Sequence, residues 1–407
     1  MLLCTKMRLQ VSEADAEALE FMQGKCRGLY NWWVMRLRDG ERWPGWAEAK
    51  ATLEASKQHD PELRFVYGKL LHEVYFRLDK AMTAFFRRCQ SATGEKPGFP
   101  RVRPRHCFFT LCYPSMYVKV EGDQLSLPTG GGGKTGIPKR YPTIVVRLTE
   151  SAPATYREVA LSRDARGNYY ASFVTEQLDD AERNGGLLAI DLGIKTLATG
   201  VNEQGRIYTI GGFKGHQWYN RQLDTIRSKR DRCQKKSRRY LHLSQVYQRV
   251  SERKRNKQRD CLHKAAHLIA YRLVESTVVI GDLSQRQMVT KAHQQKNRYR
   301  NRAVFNDWGL YRFVSLLTYK CRHAGKRLEI IEERYTTQEC GRCHARQNMP
   351  LWKRKRTYRC GNPDCGLVLD RDVNSAINIL QRFLARLGPH TDESVRCAAR
   401  QCSNQHV

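Results

Sequence analysis

A strongly apolar run near the middle of the chain constrains the fold more than any other feature. Leu187-Leu188-Ala189-Ile190 ends in a carboxylate, Asp191. Four consecutive apolar residues predict a strand that is buried on both faces. Two further strands are predicted, over 195–201 and 207–210, joined by a turn at 202–205. The run therefore predicts the first strand of a three-stranded meander with an acidic residue at its end.

Asp191 has two interpretations. A buried carboxylate is costly unless something positive meets it, which suits a metal ligand. Alternatively, the residue only terminates the strand or accepts a hydrogen bond from a turn amide. On this stretch alone the second interpretation is favoured.

The charge of the chain indicates its class of partner. Its 407 residues include 72 Lys and Arg against 40 Asp and Glu, a formal net charge of +32. Hydrophobic residues at 41% and aromatic residues at 10% exclude wholesale disorder, so the surplus predicts a nucleic-acid partner. A basic membrane-surface protein is the rival class. No apolar stretch is long enough to span a bilayer and no signal peptide is recognisable, so we expect a cytoplasmic, nucleoid-associated protein with no membrane partner.

The N-terminal half predicts a β domain interrupted by helices. Residues 1–11 and 90–184 carry short strands typical of a small barrel or an open sheet, and 12–89 carry helical periodicity. Ser12 and Asp15 suit the start of the first helix. After 1–11, the predicted strands are 108–112, 117–120, 144–148, 156–161 and 169–174.

A long helical segment, about 219–274, is unusually basic. Between Arg227 and Arg259 it holds 14 Lys or Arg against two acids, a net charge of +12. A solvated helix normally mixes signs, so this imbalance predicts a surface that follows phosphates; a plain soluble helix is the alternative. The residues expected to contact nucleic acid here are Arg227, Arg230, Lys235, Lys236, Arg238, Arg239, Arg253, Lys254 and Arg255.

Four cysteines give the strongest local signal. Cys340 and Cys343 enclose two residues, sixteen residues follow Cys343, and Cys360 and Cys365 enclose four more. Two such pairs predict a tetrahedral, four-thiolate zinc ribbon, and a closed site of this kind is structural. The remaining cysteines, in a chain expected to be cytosolic, are more consistent with free or buried thiols than with disulfides.

The segments on either side of the cysteines complete the pattern. Strands are predicted over 277–283 and 327–335, and an amphipathic helix runs from Asp372 to the Gly388-Pro389 stop. Asp372 is either a helix cap or a metal ligand. The positive end of the helix keeps its carboxylate ionised in both cases.

The order of these motifs closely resembles the RuvC-like nuclease half of TnpB, a family of insertion-sequence proteins related to type V CRISPR effectors and Fanzor. The resemblance covers about residues 185–385 and extends more loosely over the N-terminal half. It rests on Ile190-Asp191-Leu192-Gly193, the basic insert, Val279-Ile280-Gly281-Asp282-Leu283, Tyr335-Thr336-Thr337, the four cysteines and Asp370-Arg371-Asp372-Val373-Asn374.

The resemblance implies an α/β plus β fold. It implies an RNase H-like (RuvC) nuclease domain over 185–339 and 366–388, with a basic helical insert at about 215–275. A zinc ribbon occupies 340–365 and a tail 389–407. In the N-terminal half, 1–11 and 90–184 form a wedge β domain, and 12–89 form a helical recognition domain. Arg27, Tyr30, Asn31, Arg101 and Arg103 resemble nucleic-acid-binding residues of the family.

The implied function is cleavage of double-stranded target DNA directed by a guide RNA, next to a short flanking motif that the protein reads. The implied cofactors are two catalytic Mg²⁺ ions, one structural Zn²⁺ ion and the guide RNA itself. A transposase encoded by the same element is a further possible partner. The sequence does not specify the oligomeric state.

One departure from the family pattern affects the catalytic residues. Most members have Glu in the second nuclease motif, where this chain has Gly281, and glycine has no side chain to bind a metal. Some relatives instead carry a displaced Glu before the next motif, which here is Glu333. The resemblance therefore implies Asp191, Glu333 and Asp372 as catalytic metal ligands.

In the strand predicted over 327–335, side chains alternate between the two faces, so only one of Glu332 and Glu333 can point into the site. Alternation alone does not choose between them and leaves a surface role for both open; the family pattern chooses Glu333.

Three hypotheses remain at this stage. The first is an active RNA-guided nuclease. The second is a weakened or inactive RNA-guided DNA binder, which Gly281 makes plausible. The third is an unguided zinc-ribbon protein that binds nucleic acid. Two retained aspartates argue against the second, because carboxylates repel DNA.

Overall fold

The computed structural model describes residues 2–90, 97–132, 136–176, 185–193, 196–282, 302, 307–347 and 356–387. Contacts divide the chain into two compact units, Met1–Gln177 and Leu178–Val407. Within the described ranges, no helix is both long enough and apolar enough to cross a membrane. The predicted C-terminal tail, 389–407, lies outside the described residues.

A seven-stranded antiparallel sheet lies in the first unit. Its strands are β1 (Leu2–Gln10), β2 (Leu111–Pro114), β3 (Lys119–Glu121), β4 (Gln124–Leu127), β5 (Ile144–Leu148), β6 (Glu158–Arg163) and β7 (Tyr169–Glu176). They lie in the order β2-β6-β7-β1-β5-β4-β3. β1 pairs with β7 along most of its length and with β5 at Leu9 and Gln10. The first strand of the chain therefore joins the two halves of a sheet that the chain completes much later.

Helices fill the gap in sequence between β1 and β2. They are α1 (Glu13–Arg38), α2 (Trp46–Ala51), α3 (Leu53–His59) and α4 (Gly68–Gln90), with a 3₁₀ turn at Pro61–Phe65. A second 3₁₀ turn, Ser115–Tyr117, follows β2. The predicted start of α1 is confirmed, because the Ser12 side chain accepts a hydrogen bond from the Asp15 amide. Leu19, Met22 and Trp33 of α1 are buried in the core that the helices and the sheet share.

Several strand predictions for this unit need correction. The strand expected over 108–112 lies at Leu111–Pro114, and β4 was not predicted. β4 is only four residues long and pairs with β3 across the Gly122-Asp123 turn. Hairpins this short give too few alternating positions for a periodicity argument.

A mixed sheet forms the centre of the second unit. Its strands are β8 (Leu187–Leu192), β9 (Thr196–Asn202), β10 (Ile207–Gly211), β11 (Thr277–Gly281) and β12 (Arg327–Ile331), in the order β10-β9-β8-β11-β12. The meander β8-β9-β10 is antiparallel, whereas β8, β11 and β12 run parallel. A separate hairpin, β13 (Thr357–Arg359) and β14 (Val368–Asp370), lies near the cysteines in sequence.

Helices cover both faces of this mixed sheet. α5 (His216–Asp231), α6 (Arg238–His267) and α7 (Leu310–His323) follow the meander, and α8 (Arg371–Leu387) ends the described chain. Leu188 and Ile190 of β8 pack with residues of α6 and α7, whereas Ala189 packs with α8. Alternation along β8 therefore places Asp191 on the face that α8 covers.

The helical segment expected over about 219–274 consists of two helices, α5 and α6, which form a hairpin (the helical hairpin), followed by a π-helical turn, Leu268–Arg272. Lys236 has a φ of +68°, which an α-helix cannot include. Ser237 then starts α6 by accepting a hydrogen bond from the Tyr240 amide. The sequence analysis did not predict this break, because the segment is uniformly basic there and no proline or glycine marks the end of α5.

Candidate functional site

Asp191 is buried at the end of β8. Only 8% of the residue is exposed, and its Oδ1 accepts a hydrogen bond of 2.9 Å from the Ser375 hydroxyl of α8. Burial raises the pKa of the Asp191 carboxyl well above its usual range, and the nearby charges of Asp372 and Glu333 raise it further. Asp372 and Glu333 are therefore both within electrostatic reach of Asp191, and the opposing charge of Arg371 does not offset them.

Asp372 lies in the first turn of α8 and is also buried. The Asp372 amide donates to Asp370 Oδ1 at 2.8 Å, so the side chain that caps the helix belongs to Asp370. The capping interpretation of Asp372 is therefore wrong. Its carboxylate instead pairs with Arg356 at 2.6 Å, and Arg371 lies 3.6 Å away.

Glu333 lies in a turn, not in a strand. The strand predicted over 327–335 ends at Ile331, because Tyr335 has a φ of +68° and the Thr336 amide turns back to the Glu333 carbonyl. The alternation argument for Glu333 was therefore wrong in its premise. The turn nevertheless points the Glu333 side chain inward, whereas Glu332 is exposed.

Glu333 occupies the space that a side chain at position 281 would take. A Cβ built on Gly281 would lie 2.8 Å from Glu333 Cβ and 3.1 Å from its Cδ. Gly281 pairs with Ile331, and Val279 two residues earlier packs with α8, so position 281 faces the same side of the sheet as Asp191. A carboxylate from the next strand's end thus fills the position that glycine leaves empty.

The Glu333 carboxylate fits a site for a cation. Its Oε2 is buried without a hydrogen-bond partner, and burial next to Asp282 raises the pKa of Glu333 to about 7. Oxygen-only ligands are the preference of Mg²⁺. The unpartnered oxygen of Glu333 is therefore of the ligand type that Mg²⁺ prefers and lies within electrostatic reach of Asp191, but the carboxylate oxygens of Asp191, Glu333 and Asp372 do not all lie within 4.8 Å of one another.

Two hydroxyl residues that the sequence analysis missed link these carboxylates. The Ser375 hydroxyl donates to Asp191 and lies 2.9 Å from Thr336 Oγ1, and Thr336 donates to the Glu333 carbonyl at 2.9 Å. Ser375 follows Asp372 by three residues on α8, so helical spacing alone was a signal that it shares that face. The chain of contacts fixes the Glu333 turn relative to Asp191.

The four predicted cysteines come together, which confirms that part of the sequence analysis. The Sγ atoms of Cys340 and Cys365 are 3.7 Å apart, and those of Cys343 and Cys360 are 3.5 Å apart. All four sulfurs lie within 4.8 Å of one another, unlike any other group of three or more His, Cys, Asp or Glu in the described ranges. Zinc–sulfur bonds of about 2.3 Å in a tetrahedron place sulfurs about 3.8 Å apart, so the cluster suits zinc.

α8 holds this cysteine cluster and the Glu333 turn together. Asn374 accepts from the Gly341 amide at 2.9 Å and donates to the Glu339 carbonyl at 2.7 Å. Asn378 donates to the Thr336 carbonyl at 2.8 Å. Since Asn374 and Asn378 are buried on the helix that carries Asp372, one helix positions the aspartate, the turn and the first cysteine pair.

The N-terminal residues expected to bind nucleic acid mostly contact the protein itself. Tyr30 is 3% exposed and packs against Phe109, so its assignment as a nucleic-acid contact is wrong. Asn31 binds the backbone of Arg103 in both directions, at 2.6 and 2.9 Å, and Arg27 donates to the Arg105 carbonyl at 3.2 Å. These contacts attach the basic segment 97–105 to α1, and they leave the Arg101 and Arg103 residues exposed.

The helical hairpin presents most of its predicted cations to solvent. Arg227, Lys235, Lys236, Arg238, Arg239, Arg253 and Arg255 are exposed, and Arg230 is half-buried beside Asp231. The prediction that Lys254 contacts nucleic acid is wrong. The residue is 8% exposed, pairs with Asp307 and donates to Asn220 at 2.6 Å, so it joins the hairpin to the segment before α7.

Two family models match the chain. The OrfB_IS605 model, described as "Probable transposase", matches residues 172–292, and the Cas12f1-like TNB domain model matches residues 311–379. The first match includes Asp191 and the basic hairpin, and the second includes Glu333, the cysteines and Asp372.

Relatives from two organisms are similar to parts of the chain. A protein of Streptomyces pristinaespiralis whose name describes an RNA-guided DNA endonuclease is 33% identical over 250 residues, which cover 58% of this chain and 55% of that protein. The chain thus matches about half the length of this relative. A TnpB-like protein of Methanocaldococcus jannaschii is 23% identical over 281 residues, covering 66% of this chain and 93% of that protein.

Among solved structures, a Cas12f1 protein in complex with sgRNA and target DNA matches with a TM-score of 0.61 at 12% identity. The match covers 93% of this chain and 98% of that chain, and it shows that the two share a fold. The two family models, the two relatives and this shared fold together make the chain similar to TnpB-like proteins over most of its second unit.

Proposed function

We propose that the protein is an RNA-guided, Mg²⁺-dependent DNA endonuclease that uses Asp191, Glu333 and Asp372. The observation that carries the proposal is the Glu333 carboxylate, which fills the Gly281 position and leaves a buried oxygen without a partner. A protein that only binds DNA gains nothing from three buried carboxylates on one face, because they repel phosphates and are costly to bury.

The strand order and directions in the second unit support an RNase H-like nuclease fold. An antiparallel meander that continues into two parallel strands places the ends of β8 and β11 side by side. Asp191 at the end of β8 and the Gly281 position at the end of β11 then face the same helix, α8. In the first unit, we assign the sheet as the wedge domain and 12–89 as the recognition domain.

Each group of residues in the site would have its own role in cleavage. Asp191, Glu333 and Asp372 would hold the cations, and a bound pair of Mg²⁺ ions would supply charge stabilisation to the attacking and leaving oxygens of a phosphodiester. Ser375 orients the Asp191 carboxylate, and Thr336 holds the Glu333 turn. α8 covers the sheet face and limits access of water to the buried oxygens.

Sequencing the nucleic acid that copurifies with the full chain tests the proposal directly. We expect an RNA of defined sequence, and the RNA-loaded protein should cut DNA that matches this RNA in Mg²⁺ when a suitable flanking motif is present. A purified protein with no bound RNA would instead favour an unguided zinc-ribbon protein. Defined RNA without cleavage at any flanking sequence would favour the weakened binder.

Zinc is expected at the four-cysteine cluster at about one ion per chain, as measured by elemental analysis. Cys343→Ser should lose the zinc and lower the solubility of the protein, since metal binding at such sites contributes folding free energy. Cys89→Ser, at an exposed thiol outside the cluster, is the control and should keep both. A wild-type protein without zinc, or a Cys343→Ser variant that keeps zinc and solubility, would refute the site.

The helical hairpin is expected to bind nucleic-acid backbone without reading bases. Changing Arg238, Arg239, Arg253 and Arg255 to Gln should weaken binding to all sequences alike and flatten the salt dependence by about 0.7–0.9 per lost phosphate contact. Lys254→Gln is a contrasting variant, because Lys254 is buried against Asp307 and should affect stability rather than the salt slope. An altered sequence preference with an unchanged salt slope in the fourfold variant would contradict this role.

A further inference from the structure

A cavity of about 650 Å³ lies against β9, β10 and the start of α8. It is lined by Thr199, Thr209, Arg206, Arg356 and Asp370, among others. Thr199 is directly opposite Asp191 in the β8–β9 ladder, and Thr209 is directly opposite Thr199 in the β9–β10 ladder. Directly opposed residues of antiparallel strands share a face, so the cavity continues the face on which Asp191 lies.

The lining of the cavity suits a phosphate. Two guanidinium groups, from Arg206 and Arg356, and several threonine hydroxyls supply donors, against the single carboxylate of Asp370. Arginine stays charged and matches phosphate oxygens with a planar fork of donors. A volume of about 650 Å³ is that of a small-ligand pocket, which holds a short piece of a single strand but not a duplex.

Arg356 also has a second contact. Its guanidinium donates to Asp372 Oδ2 at 2.6 Å and lies 3.8 Å from Asp370 Oδ2. Asp372 is 5% exposed, so little water competes with this ion pair. While Arg356 holds Asp372, the carboxylate oxygen it contacts is not available to a cation.

We propose that this cavity binds a phosphate of the DNA strand to be cut, and that Arg356 exchanges Asp372 for that phosphate when the strand enters. The exchange frees the Asp372 carboxylate for a cation and places a positive charge on the incoming strand. Strand binding and cation binding then strengthen each other, and each must do so by the same factor. The proposal rests on the proposed function, since it concerns the same three carboxylates.

The coupling can be measured without cleavage, on the full chain loaded with zinc and freed of RNA. Calorimetric titration with Mn²⁺ is expected to show an affinity at least about fivefold higher for Arg356→Gln than for wild type. The reason is that the substitution removes the guanidinium that competes with Mn²⁺ for Asp372. Arg206→Gln should leave Mn²⁺ affinity unchanged. Arg386→Gln, at an exposed position of α8, is the matched control and should behave as wild type.

The second measurement is the anisotropy of a labelled single-stranded DNA, with and without Ca²⁺ as a non-cleaving cation. In wild type, Ca²⁺ should tighten DNA binding at least about fivefold. Both Arg206→Gln and Arg356→Gln should weaken DNA binding, and Arg356→Gln should also lose the effect of Ca²⁺.

Distinct outcomes separate the two proposals. If Asp191→Asn binds Mn²⁺ as wild type does, the carboxylates are not the cation site and the proposed function fails. If Asp191→Asn loses Mn²⁺ but Arg356→Gln gains no affinity, only the exchange by Arg356 is overturned. Unweakened DNA binding by Arg206→Gln would overturn the phosphate site, and equal cation-coupled binding of single-stranded RNA would overturn its assignment to DNA.

Discussion

Replacing Asp191, Glu333 or Asp372 singly with Ala is expected to lower DNA cleavage by at least about 100-fold while target binding is retained. Each carboxylate would hold cations that supply several kcal/mol of charge stabilisation to the transition state. Target binding is retained because none of the three is among the Lys and Arg residues expected to contact the nucleic-acid backbone. Single-turnover cleavage and filter binding with the RNA-loaded protein measure the two effects separately.

The neighbouring acids provide matched controls. Glu332 and Asp282 are exposed and flank the proposed ligands in sequence or in space, so Glu332→Ala and Asp282→Ala should cut DNA. Wild-type cleavage by Glu333→Ala would show that the displaced glutamate is not a ligand. If Glu332→Ala loses activity while Glu333→Ala keeps it, the metal ligand is Glu332, and the inward position of Glu333 in the turn does not reflect a catalytic role.

Moving the glutamate back to position 281 is the second prediction. Gly281→Glu alone should abolish cleavage, because its Cβ would lie only 2.8 Å from Glu333 Cβ and the two side chains would compete for one space. Glu333→Gly alone should also be inactive, because it lacks the third carboxylate. The double variant Gly281→Glu/Glu333→Gly removes the collision and is expected to recover at least about tenfold over either single variant.

Glycine at 333 is necessary for this rescue, since an alanine would keep the Cβ that collides. Gly281→Gln/Glu333→Gly has the same shape without the negative charge and should remain inactive. The same single-turnover assay compares all four variants with wild type. Equal activity of the Gln and Glu double variants would mean that the recovery comes from packing alone.

Local sequence patterns predicted the parts of the molecule whose determinants are close together along the chain. The apolar run at 187–190 indicated β8, and the spacing of the cysteines indicated a cluster that the structure assembles. Both patterns work because a strand or a metal-binding loop depends on residues a few positions apart. No tertiary contact was needed to recognise either one.

Features that depend on distant residues were not predictable in the same way. Lys254 looked like part of a basic surface, but its partner Asp307 is 53 residues away in sequence. Tyr30 was expected to contact nucleic acid, but it packs against Phe109, which is distant in sequence. Arg356, which pairs with Asp372, had no motif that distinguished it from the other arginines around it.

Glu333 was chosen for reasons that were only partly correct. The family pattern selected it over Glu332, and the structure agrees that Glu333 points inward. The supporting argument assumed a strand through Tyr335, whereas the chain turns after Ile331. Alternation cannot decide between neighbours once the backbone leaves the strand, so the selection depended on resemblance.

The position of α8 has a consequence for how the protein is made. Asp191 and its partner Ser375 are 184 residues apart, and the helix that supplies Ser375 and Asp372 is synthesised after both cysteine pairs. The first unit has its own buried core and can fold while the ribosome is still translating the second. The proposed carboxylate site cannot form until α8 has left the ribosome, so a nascent chain carries an exposed basic surface before Asp191 meets Ser375 and Asp372.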